Sequence, residues 1–266
     1  MRIESRHITI NRTLRPEQLQ HELDLARAVQ QSLFPSTLPL LPHVRLAALN
    51  QPARIVSGDL YDVIKIDPER IAILCADVSG KGFAAALLAS EVHAYVRSTL
   101  RAACVFADAS LGPLPVQVVA LLNTETARRN ESGRYATMFF AEFDSSERSL
   151  CYVNAGHNPP LLFANGGVSE LTLGGPPVGL FEDATYEAGT VVIPHGTVLI
   201  YTDGVIEARN AHDEEFGLPR LLDVCASTYQ DVDGLPAAIM AAVQSWGGDS
   251  EQGDDITMVV LGVSDD

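Results

Sequence analysis

The stretch Ile71-Ala72-Ile73-Leu74-Cys75-Ala76-Asp77-Val78-Ser79-Gly80-Lys81-Gly82 constrains this chain more than any other. Its apolar run, residues 71–76, reads as a short buried strand. The run delivers one carboxylate, Asp77, to the strand's end, where a turn punctuated by Gly80 and Gly82 follows. Residues 83–89 are then rich in good helix formers. One acid therefore stands where a strand, a tight turn and a helix N-terminus meet. Such a junction combines a rigid carboxylate, approachable backbone carbonyls and the positive end of a helix dipole. Metal and phosphate chemistry both use it, so the question is whether other acids converge there.

Periodicity along the rest of the chain sets the frame. A helix starts at Arg15-Pro16, with Pro16 suited to the first helical position and Glu17 complementing the dipole. Leu19, Leu23, Ala26, Val29 and Leu33 recur at spacings of three and four as one apolar stripe, and Pro35 and Pro39 end it. Residues 16–40 read either as a helix packed on its own domain or as a linker that pairs two subunits into a homodimer. Residues 1–15 read as an N-terminal extension. Strands are predicted at 44–49, 54–56, 61–66 and 70–76, then helices after Gly82 and over 116–129. Further strands are predicted at 136–143 and 150–154, with one hairpin joining 161–164 to 168–171 and another joining 190–193 to 197–201 across Pro194-His195-Gly196. Helices over 218–227 and 235–245 precede a last strand over 256–263. Strands in hairpins and helices in pairs make this α+β, antiparallel sheets covered by helices, in a domain running over 41–266.

Bulk properties exclude several classes. The net charge of −16 opposes non-specific nucleic-acid binding, which needs Lys and Arg against phosphates. It also repels an anionic substrate unless the local sign is reversed, which divalent metals on clustered carboxylates would do. No apolar run approaches the ~18 residues of a membrane span, and the first twenty residues carry no signal-peptide pattern. Cys75, Cys104, Cys151 and Cys225 are scattered in apolar or helical contexts, so all four are expected to be buried reduced thiols in a cytoplasmic protein.

Acids do recur at predicted strand ends: Asp59 and Asp62 in Ser57-Gly58-Asp59-Leu60-Tyr61-Asp62, Asp203 before Gly204, and Asp254-Asp255 ahead of the last strand. A lone Asp before Gly is usually a turn residue. Several acids from distant parts of the chain are how a sheet fold supplies oxygen ligands to a hard divalent cation. The full set is Ser57-Gly58-Asp59-Leu60-Tyr61-Asp62, Asp77 to Gly82, Asn154-Ala155-Gly156-His157-Asn158-Pro159-Pro160, Thr202-Asp203-Gly204-Val205-Ile206-Glu207-Ala208-Arg209 and Asp254-Asp255-Ile256-Thr257. In that order it resembles the RsbU/SpoIIE-type serine phosphatases of the metal-dependent (PPM, type 2C) superfamily.

The resemblance implies a four-layer αββα sandwich and a site for two Mn²⁺ or Mg²⁺ ions. In it Asp77 bridges both ions and the Val78 carbonyl joins it, Asp59 serves one ion, and Asp203 with Asp254 the other, the family pattern favouring Asp254 over the neighbouring Asp255. Asp62 is implied to stand behind these or to act through a water. The implied activity is hydrolysis of phosphoserine or phosphothreonine in a STAS-domain protein of the anti-anti-sigma type, within a partner-switching pathway. The alternative is a phosphatase-like regulatory module of weak activity that binds a phosphoprotein. This chain departs from many eukaryotic relatives in having Ser79 two residues after the bridging acid in place of histidine, and from the usual Gly-Gly-Asp in having Ser57 as its first residue. The phosphate-binding arginine has no match. His157 reads as a loop-shaping residue more than a catalytic one. Gly80-Lys81-Gly82 lacks the spacing of a nucleotide loop, and Lys81 is expected to point to solvent or substrate.

Overall fold

A computed structural model describes residues 16–105, 112–129 and 133–265. The expected extension over 1–15 lies outside them. The chain opens with α1 (Pro16–Gln31), β1 (Val44–Gln51), β2 (Asp59–Lys65) and β3 (Arg70–Val78), followed by α2 (Phe83–Val105) and α3 (Leu114–Arg129). Then come β4 (Ala136–Asp144), β5 (Ser149–Ala155), β6 (Leu161–Ala164), β7 (Gly167–Glu170), β8 (Gly174–Gly175), β9 (Gly189–Val192) and β10 (Gly196–Tyr201). The C-terminal part holds α4 (Gly217–Thr228), α5 (Leu235–Gly247) and β11 (Ile256–Val263).

The strands form two sheets, one ordered β1-β11-β10-β6-β7 and the other β2-β3-β4-β5-β8, with β9 also paired to β5. Every pairing between these strands is antiparallel except the short β5–β8 contact. The two-residue period of a strand sorts side chains between layers. Tyr61, Ile73, Cys75 and Phe139 of one sheet meet Val198, Ile200, Val259 and Leu261 of the other. The alternate residues Leu60, Leu74, Ala76, Met138 and Phe140 face Val92 and Val96 of α2 and Val118 and Leu122 of α3. Leu199, Tyr201, Met258 and Val260 pack on Leu221 and Cys225 of α4 and Ile239 and Val243 of α5. The result is the expected αββα sandwich. Each fully buried large side chain, such as Phe139 or Phe140, contributes about 1.5–3 kcal/mol of transfer free energy. Among the described residues no helix is long and apolar enough to cross a membrane.

Three expectations fail. Segments 190–193 and 197–201 are not a hairpin: β9 pairs with β5, while β10 lies between β11 and β6 in the other sheet. Burial decides this, because all six residues of β10 are buried and need a central position, whereas β9 is partly exposed and suits an edge. Residues 54–56 form no strand; the amides of Ala53 and Gly58 around them donate to the Asp255 side chain instead of to a ladder. Cys75 and Cys225 are buried, but Cys151 is only half-buried and Cys104, near the end of α2, is exposed.

Candidate functional site

β2 and β3 place Asp59 directly opposite Asp77, so both carboxylates project from the same face of the sheet. Asp59 is 2% exposed. Its Oδ2 accepts a hydrogen bond from Thr202 Oγ1 at 2.7 Å, across the gap between the sheets. The Thr257 amide donates to Thr202 Oγ1 at 2.9 Å, and Asn50 Nδ2 donates to Thr257 Oγ1 at 2.8 Å. A polar line from β1 through β11 to the end of β10 therefore fixes Asp59. Asp203 follows Thr202 and opens a single 3-10 turn over Asp203–Val205. Gly204 permits this approach: a Cβ there would lie 2.0 Å from the Asp255 carbonyl oxygen.

The electrostatics follow from crowding. Burial first, and then the Asp77 charge, hold the Asp59 carboxyl well above the usual carboxylate range, against the pull of hydrogen bonds from Thr202 and Thr257. Asp77 is pushed up to about 7 by burial and by the charges of Asp203, Asp254 and Asp255. Asp203 is raised by burial and by Asp254. Carboxylates from both sheets thus oppose one another's ionisation at one mouth.

Asp254 and Asp255 divide at this mouth. Asp255 Oδ1 accepts from the Ala53 amide at 2.8 Å and Oδ2 from the Gly58 amide at 2.6 Å, so it ties down the loop before Asp59. Asp254 Oδ2 pairs with Lys81 Nζ at 2.6 Å, and Lys81 also donates to the Gly253 carbonyl. Lys81 therefore reaches an acid at the rim of the cluster while its side chain stays largely exposed, in keeping with the expectation that it points to solvent or substrate. The Val78 carbonyl lies beside Gly58, where a Cβ would stand 3.3 Å from its oxygen and 3.7 Å from Asp77 Oδ1. Among the described residues no three His, Cys, Asp or Glu side chains are arranged to hold one ion as they stand.

Asp62 does not join the cluster. It projects from the opposite face of β2 and is fully buried under α2, where Arg97 grips both its oxygens at 2.7 and 3.0 Å and His93 Nε2 lies 2.9 Å away. Ser79 Oγ accepts from the Tyr135 amide at 2.9 Å, which makes it a tie for the loop after β3. His157 is buried, with its amide donating to Asn154 Oδ1 and its Nδ1 2.9 Å from Thr137 Oγ1. Burial pulls its pKa down to about 4, so the ring is neutral at neutral pH. Sequence reasoning missed Gln30. Its side chain is buried and brackets Ser57, accepting from the Ser57 amide at 2.8 Å and donating to the Ser57 carbonyl at 2.6 Å. Phe34 stacks on Tyr61 beside it, ring centroids 5.0 Å apart. The signal was available: Gln30 lies four residues after Ala26 and three before Leu33, on the apolar stripe.

Residues 67–264 match the family model described as Stage II sporulation protein E (SpoIIE). The chain is 32% identical over 260 residues to Protein IcfG of Synechocystis sp., covering 90% of this chain but only 41% of that relative's length. It is 28% identical over 252 residues to Phosphoserine phosphatase RsbU of Bacillus subtilis, covering 92% of this chain and 71% of RsbU. Among solved structures it is similar to the SiaA-PP2C domain of Pseudomonas aeruginosa, with a TM-score of 0.79 at 21% identity over 93% of this chain and 98% of that one.

Proposed function

Because the chain belongs to the SpoIIE family of RsbU/SpoIIE-type metal-dependent phosphatases, we propose that it hydrolyses phosphoserine or phosphothreonine esters of a protein, with two divalent ions, Mn²⁺ or Mg²⁺, held by its acids. One observation carries this reading: Asp59 and Asp77 from one sheet stand near enough to Asp203 and Asp254 from the other for their like charges to repel one another. The donor set is all oxygen, which fits a hard divalent cation. Asp77 would serve both ions together with the Val78 carbonyl, Asp59 one of them, and Asp203 and Asp254 the other. Asp255, with both oxygens engaged by backbone amides, fits a loop-holding role better than a ligand role. The proposal requires Asp254 to release Lys81. When bound, such ions acidify a water and neutralise phosphoryl oxygens.

The protein's own groups prepare the rest. Thr202 fixes the orientation of Asp59. Gln30 and Asp255 hold the loop that precedes it from two sides. The overall reaction consumes one water and yields the free hydroxyl side chain and inorganic phosphate. By family likeness the substrate is a phosphorylated STAS-domain protein of the anti-anti-sigma type. Leu25 and Val29, exposed on α1, would serve a homodimer paired through that helix.

The test uses p-nitrophenyl phosphate and candidate phospho-STAS proteins with Mn²⁺ and Mg²⁺ titrated. Hydrolysis is expected to need the ion, to stop with EDTA, and to fall at least about a hundredfold in Asp77→Asn and Asp203→Asn. Undiminished turnover in either variant overturns the assignment. The Lys81–Asp254 pair favours a second reading, a regulatory module that binds a phosphoprotein with little turnover. Partner binding unaffected by EDTA, with no calorimetric signal for Mn²⁺, would select it.

A further inference from the structure

The row of side chains that holds Asp59 and Asp77 continues across the sheet. Asp77 is the ladder partner of Asp59 on one side and of Thr137 on the other. Ladder partners project to one face, with Cβ atoms about 4.5–5.5 Å apart, so the Thr137 side chain neighbours Asp77 on the face that carries the acid cluster. Thr137 is half-buried, and His157 closes the row behind it, 5% exposed, with Nδ1 2.9 Å from Thr137 Oγ1. The Asn154 side chain fixes the His157 backbone at 2.8 Å. Among the described residues His157 Nε2 has no hydrogen-bond partner.

The tautomer follows from that accounting. A neutral imidazole carries one proton. On Nε2 it would leave a buried N–H donor without an acceptor, the rarer and costlier defect. On Nδ1 it leaves only a bare lone pair. His157 therefore donates from Nδ1 to Thr137 Oγ1, which uses one of the hydroxyl's lone pairs and leaves the Thr137 proton to be donated elsewhere. No other hydrogen bond involves that hydroxyl among the described residues. A neutral donor at this place supplies what the acids lack, because carboxylates repel the phosphoryl oxygens that the site must receive.

We propose that Thr137 donates its hydroxyl hydrogen to a phosphoryl oxygen of the substrate, and that His157 is the positioning residue that aims it. The proposal rests on the phosphatase reading and adds to it a substrate-binding group outside the acid cluster. His157 acts only through Thr137, so the two residues form one unit.

The test is a double-mutant cycle read by steady-state hydrolysis of p-nitrophenyl phosphate in Mn²⁺ and by competitive inhibition with inorganic phosphate. Thr137→Val, which keeps the volume and removes the hydroxyl, is expected to lower kcat/KM roughly ten- to hundredfold and to weaken phosphate inhibition by a similar factor. Thr137→Ser should retain most of both. His157→Leu should resemble Thr137→Val, and adding it to Thr137→Val should cost no more than about twofold further. His157→Asn, whose amide nitrogen stands in for Nδ1–H, should recover much of the loss. Thr137→Val with kcat/KM and phosphate inhibition within twofold of the parent protein overturns the proposal. So does a His157→Leu loss of equal size with and without Thr137. Absence of any hydrolysis or phosphate binding by the parent protein overturns the phosphatase reading itself, and this proposal with it.

Discussion

Lys81 and Asp254 show how one residue can stand in for a cation. The ammonium neutralises an acid that the proposed site needs, and burial is slight enough that the pair contributes little. Lys81→Met removes a competitor for Asp254 Oδ2. Calorimetry should then find Mn²⁺ bound about two- to fivefold more tightly, and weaker binding would mean that Lys81 assists the site. His157 allows a pH prediction. Its folded pKa, about 4, lies below the ordinary histidine value of about 6.5, so below about pH 6.5 the unfolded chain binds a proton that the folded chain refuses. Stability is thus unaffected by this group above that point and lost as pH falls toward 4, at up to about 1.36 kcal/mol per pH unit. Comparing urea unfolding of the protein and His157→Asn, the advantage of the parent should shrink by about 2 kcal/mol between about pH 7.5 and pH 5. A constant difference would contradict the buried neutral ring. The acids themselves were legible because strand ends marked by glycine stand out in sequence. Asp62 was misjudged for a physical reason that the sequence does contain: residues 59 and 62, three apart on a strand, face opposite ways.

At the scale of elements, the Asp62 cluster adds a polar tie between β2 and α2 to the packing of Leu60 on Val92 and Val96. Asp62 is fully buried, with both oxygens held by Arg97 and one of them 2.9 Å from His93 Nε2, so removing the guanidinium strands a carboxylate under the helix. Arg97→Met should destabilise the domain by about 3 kcal/mol, read as a lower urea midpoint at unchanged slope. A loss below about 1 kcal/mol would mean that His93 and rearrangement suffice. Strands and helices of strong pattern, β3, β4 and β11 above all, were readable to within a few residues. Pairing was not. The Pro194-His195-Gly196 signal marks a turn, but a turn says nothing about which edge needs a partner. β5 needed β9, and the fully buried β10 needed neighbours on both sides. The docking of α1 stayed open between two readings, because a stripe that includes Gln30 shows which face is covered but not that Gln30 grips the Ser57 backbone.

The whole molecule carries a net charge of −16 and concentrates part of it where its two sheets open. Self-repulsion of this kind destabilises a compact state, and ions that bind only the folded chain return that stability by mass action. At a free ion concentration of about a hundred times Kd, one site adds about 2.7 kcal/mol. For a domain of this size each kcal/mol raises Tm by roughly 2–4 °C, so a single occupied site should shift the transition by about 5–10 °C. Differential scanning calorimetry with Mn²⁺ against EDTA reads this directly and needs no substrate. Asp77→Asn should start from an equal or higher Tm in EDTA, because it relieves crowding among Asp59, Asp203 and Asp254, and should lose most of the Mn²⁺ shift. A protein whose Tm ignores Mn²⁺ would have an acid cluster serving some purpose other than holding ions. An Asp77→Asn variant that kept the full shift would move the site away from the junction of β3 and α2.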